Sequence, residues 1–138
     1  MHEYMSRVRI WELTCPGLPE EVGRARRWTQ DVLRDTSYAD DVALIVSELG
    51  GKAVTHACSS RFRVVLSLGA SALTVAVTDW GSGEEGPRVR QPGELDSSGR
   101  GLILVHLLAA SVHITRHAHG HTATAHLLGR TTPGAEAC

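Results

Sequence analysis

Lysine is almost missing from this chain. Lys52 stands alone among fourteen basic residues, and fifteen acids bring the formal charge to −1. No basic stripe or run forms, which argues against a nucleic-acid partner. One Phe and two Tyr are too few for a base-stacking surface. Cysteine is scarce and odd in number: Cys15, Cys58 and Cys138 lie far apart without a C-x-x-C, so reduced thiols in a cytoplasmic protein are expected. Met1 to Leu13 mixes charged and apolar residues, unlike a signal peptide, and no later apolar run is long enough to span a bilayer. No internal repeat is visible. The 138 residues suit a single domain, expected over 1–130, with a frayed tail at 131–138.

What is present alternates between the periods of strands and helices. Val8 to Leu13 reads as a first strand, ending at Cys15-Pro16-Gly17. Pro19 opens a helix through Asp35, with Glu20 and Glu21 in its first turn and Val22, Ala25, Trp28, Thr29, Val32 and Leu33 on its buried face. Arg24, Arg26, Arg27 and Arg34 form its solvated side. A second helix starts near Asp40-Asp41, and its apolar positions cover more than one face, as expected of packing against both a sheet and a neighbouring helix. It contains Gly50-Gly51, and each interior glycine costs about 1 kcal/mol relative to alanine. Either a ligand or another backbone comes close there, or the helix is weakened. Phe62–Leu68 and Ala72–Thr78, separated by Gly69-Ala70-Ser71, read as an antiparallel hairpin.

The second strand of that hairpin runs into Asp79-Trp80-Gly81-Ser82-Gly83. A strand end holds Asp79 rigidly at the lip of a sheet, while Gly81 and Gly83 permit turns and close backbone approach. A fixed carboxylate beside bare backbone suits a planar ligand with an amine donor, such as adenine; alone, the stretch reads first as a plain strand-to-loop turn with Asp as turn former. From Glu84 to Ser98 there is no periodicity, as in a lid or binding loop. Ser98-Gly99-Arg100-Gly101 then opens a third helix, Leu102 to Ala110, whose free amides suit a phosphate unless Ser97 or Ser98 simply caps it. Two strands close the chain, Ser111–His117 and Thr122–Leu128.

Taken as a set, this order resembles the histidine-kinase-like ATPase superfamily (GHKL, Bergerat fold), and within it the small anti-sigma-factor serine kinases of Gram-positive bacteria, especially actinomycetes. The resemblance covers roughly Arg7 to Leu128. It implies a two-layer α/β sandwich: a mixed, mostly antiparallel sheet of about five strands, covered on one face by three helices. ATP or ADP would lie between helices and lid. By the same resemblance, Asp79 accepts from the adenine amine, Gly81 and Gly83 let the adenine pocket form, and Gly99 and Gly101 cradle phosphate. Glu48 matches the general base that activates a partner's serine hydroxyl. The family's helix carries an Asn that holds Mg²⁺ four residues after this Glu. Here Lys52 stands in its place, with three donors and no acceptor. Its ammonium would contact the phosphates directly, or pair with Glu48. No residue is assigned to a metal.

The resemblance implies an ATP-binding regulator that binds a sigma factor and phosphorylates an antagonist protein, with a homodimer plausible. The alternative is a module of the same fold that sequesters a partner without phosphoryl transfer. Among the remaining signals, Arg100 reaches a phosphate or is simply exposed. Trp80 flanks the pocket or is a loop aromatic, and His56 packs or caps. His113, His117, His119, His121 and His126 crowd the last hairpin, where a polar turn is the default reading.

Overall fold

A computed structural model describes residues 8–55, 59–81 and 102–129. Its elements run β1 (Arg9–Pro16), α1 (Pro19–Val32), α2 (Ala39–Thr55), β2 (Arg61–Leu68), β3 (Ala72–Asp79), then a helix α3 over residues 102–108, β4 (Ser111–His117) and β5 (Gly120–Leu128). The five strands form one sheet in the order β1-β2-β3-β5-β4, and each ladder is antiparallel. The helices pack on one face, so the architecture is the α/β sandwich expected. Among the described residues no helix is long and apolar enough to cross a membrane.

Strand period and register build the core. Phe62, Val64 and Leu66 on β2 are fully buried, in register with Asp79, Val77 and Val75 on β3. On β5, Ala125 and Leu127 continue the buried rows. Val42, Ile45, Val46, Leu49 and Ala53 of α2 close over them, with Val105 of α3. Each large side chain fully buried there contributes about 1.5–3 kcal/mol. Thr29 of α1 is the buried hydroxyl of this layer, and it donates to the Ala25 carbonyl at 2.9 Å. Arg24, Arg26, Arg27 and Arg34 are exposed, as the helix's solvated side requires.

Several boundaries differ from the sequence reading, and three of them have a clear reason in the packing. β1 continues to Pro16, because Cys15 pairs with Phe62 and is fully buried; a proline at the end of an edge strand is tolerated. α1 stops at Val32, with Leu33 turned out of helical geometry but still packed in the core. β5 begins at Gly120, two residues early, because His121 pairs with Asp79. α2 runs unbroken through Gly50 and Gly51. Gly50 faces the core, where an added Cβ would meet Phe62 and Val22 at ordinary distances, and at Gly51 it would meet no described residue within 4 Å.

Candidate functional site

Asp79 is the last residue of β3 and shares the parity of Leu73, Val75 and Val77, which face the helices. Its side chain is only 14% exposed, at the lip of the sheet outside the packed interior. One carboxylate oxygen is committed: Oδ1 accepts the backbone N–H groups of Gly81 and His121, each at 3.2 Å. The ring Nδ1 of His121 lies 3.6 Å from the same oxygen. Oδ2 accepts no hydrogen bond from a described residue. The strand pairing and the turn at Gly81 thus clamp one side of the carboxylate and, among the described residues, leave the other as an acceptor held in a fixed direction.

Gly120 completes the clamp. A Cβ at this position would stand 2.0 Å from the Asp79 carbonyl oxygen and 2.9 Å from Oδ1. No side chain can occupy that position without displacing β3. The sequence reading leaves Gly120 between the last two strands and counts His121 only among the histidines of that hairpin, with no role at Asp79. The available signal was the pairing of β5 against the end of β3, which a sequence does not display.

On α2, Glu48, Gly51 and Lys52 are partly exposed and Thr55 is exposed, on the side turned from the core. The Thr55 hydroxyl donates to the Gly51 carbonyl at 2.7 Å, keeping the last turn closed. Glu48 and Lys52 follow one another by one helical turn on this side. Gly81 lies at the Asp79 clamp. Gly83, Gly99, Arg100 and Gly101 lie outside the described residues, as do the loop from Glu84 to Ser98 and His56.

A family model described as "Histidine kinase-like ATPase domain" matches residues 15–127. The chain belongs to this family. Membership implies ATP binding, and a carboxylate whose Oδ1 is fixed by two amides is chemically suited to accept from an exocyclic amine through Oδ2. Among solved structures, the chain is similar to "The crystal structure of the RsbU and RsbW domains of Rv1364c from Mycobacterium tuberculosis". Identity is 19%, the TM-score is 0.68, and the match covers 90% of this chain and 34% of that one. At that identity the likeness is one of fold, and this chain spans about a third of the matched structure's length. Comparison with curated proteins finds no match.

In this ATPase domain a hollow of about 210 Å³ opens beside Asp79 at the β4–β5 turn, lined by Thr78, Trp80, His117, Ala118, His119 and Gly120. Trp80 flanks it. Its ring is covered by the guanidinium groups of Arg61 and Arg63, at 4.3 and 5.1 Å from the ring centre. Arg63 also pairs with Glu12 at 3.2 Å, which ties the stack to β1. Strand parity divides the histidines of the last hairpin. His113, His117 and His126 project from the face opposite the helices. There the His126 ring meets Thr74 at 3.2 Å, and the His117 ring meets Thr122 at 2.6 Å. His121 projects on the helix side. Among the described residues no three His, Cys, Asp or Glu side chains gather where they could hold a metal ion.

Proposed function

We propose that this ATPase domain is an adenine-nucleotide-binding regulator of the anti-sigma-factor serine-kinase type, acting in the cytoplasm on a sigma factor and its antagonist protein. The observation that carries the reading is the Asp79 carboxylate, clamped through Oδ1 and with Oδ2 left to accept from the adenine amine. Gly81 and Gly83 would leave room for the base, while Gly99, Arg100 and Gly101 would receive the phosphates at the start of α3. ATP, when bound, would supply the phosphoryl group. Glu48 would take the proton of a partner's serine hydroxyl. The resemblance to anti-sigma-factor kinases supports this finer role, as does the fold likeness to a chain that carries an RsbW domain.

Lys52 favours a second reading. An ammonium has no lone pair, so this position does not fit a Mg²⁺ ligand, and no step is assigned to Mg²⁺. Charge neutralisation by a metal is worth several kcal/mol in such a transition state. A domain lacking it would bind nucleotide, with Lys52 against the phosphates, and sequester its partner without transferring phosphate. Titration calorimetry with ATP, with and without Mg²⁺, on the natural chain and Lys52→Asn separates the two. Binding indifferent to Mg²⁺ in the natural chain, and Mg²⁺-dependent in K52N, is the expected result for the sequestering module. Tight Mg²⁺-dependent binding by the natural chain defeats it. Absence of binding in every arm defeats both.

A further inference from the structure

The β4–β5 turn is moulded onto Asp79, and His121 brings an imidazole to that contact. On the helix side of β5 its companions are Ala123, Ala125 and Leu127. His121 is therefore the one polar side chain of that row, and it stands next to the carboxylate. Its ring nitrogen is 3.6 Å from Oδ1, too long for a hydrogen bond but within ion-pair reach. The His121 side chain is 37% exposed, so protons reach it from solvent. Its charged and titratable neighbours are Asp79 on β3, Arg116 opposite on β4, and His119 in its own turn. Packed over β2 and β3, α2 carries Glu48 and Lys52.

We propose that His121 is a second determinant of nucleotide binding, acting through the charge on Asp79. A neutral ring leaves the carboxylate a fully charged acceptor for the base. An imidazolium at the same distance competes for that charge and weakens the contact. Imidazole is the side chain that ordinarily changes charge between pH 5 and 8, so affinity for adenine nucleotides falls on acidification. This rests on the docking of the base at Asp79. The expected loss is about fivefold, the difference between a charge-assisted and a neutral hydrogen bond.

The test is calorimetry with ADP in chelator-containing buffer at about pH 8 and about pH 5.5, on the natural chain, His121→Gln and Asp79→Asn. Ionisation of the ADP phosphates is common to the natural chain and H121Q, so their difference isolates the ring. The natural chain is expected to lose about fivefold more affinity than H121Q. Equal losses overturn the role of His121. A D79N variant that binds as tightly as the natural chain overturns base docking instead, and no binding by the natural chain overturns both. A measurement on the unaltered protein covers the case of an unfolded variant. Reciprocity requires saturating ADP to lower the midpoint of the His121 ring proton resonance by about 0.7 pH unit. An unmoved midpoint overturns the proposal.

Discussion

Gly120→Ala tests whether the turn really clamps Asp79. The added carbon would sit 2.0 Å from the Asp79 carbonyl oxygen and 2.8 Å from its carbonyl carbon. Comfortable contact needs about 3.5 Å, so one of the two backbones must move by more than an ångström. The obstacle is main chain within a paired strand, which cannot rotate away as a side chain would. Overpacking of this kind costs about 3 kcal/mol, at the upper end of its usual range. Against this, alanine restricts the unfolded chain and returns about 0.5–1 kcal/mol. The net loss of about 2 kcal/mol lowers the melting temperature by about 5–8 °C for a chain of this size. Thermal unfolding by circular dichroism reads it directly. Because the carboxylate moves with the Asp79 main chain, ADP affinity falls as well, measured well below the melting range. A melting temperature equal to or above that of the natural chain would refute the clamp.

Gly50→Ala should act in the opposite sense. Its new carbon meets Phe62 at 3.5 Å and Val22 at 3.6 Å, ordinary packing distances, and the helix gains about 1 kcal/mol, so the melting temperature rises by about 3 °C. A decrease would show that the glycine is there to avoid a clash. Cys15 adds a pH dependence. Burial raises its thiol pKa above the ordinary range, Arg24 at 3.9 Å lowers it in part, and Glu21 raises it again. The folded chain thus keeps a proton that the unfolded chain releases. This stability is complete below the ordinary thiol pKa and is lost as pH rises through it towards the folded value. Urea midpoints measured from neutral to strongly alkaline pH should decline more steeply in the natural chain than in Cys15→Ala; parallel curves would count against it.

Most of the architecture was readable from periodicity. The alternation of Phe62, Val64 and Leu66, and of Leu73, Val75 and Val77, marked two strands and their buried face. Such patterns are local, and burial enforces them residue by residue. Asp79 was legible for the same reason, as a carboxylate at the end of an alternating run. What tertiary structure alone decided was which distant residues meet. Pairing of β5 with β3 brings His121 and Gly120 to Asp79, across more than forty positions of sequence. Packing of α2 onto β2 and α1 sends Gly50 into the core and turns Gly51 away from every other described residue. Strand parity puts His121 and His126 of one strand on opposite faces of the sheet. Register is a property of two strands together, so neither segment by itself contains it.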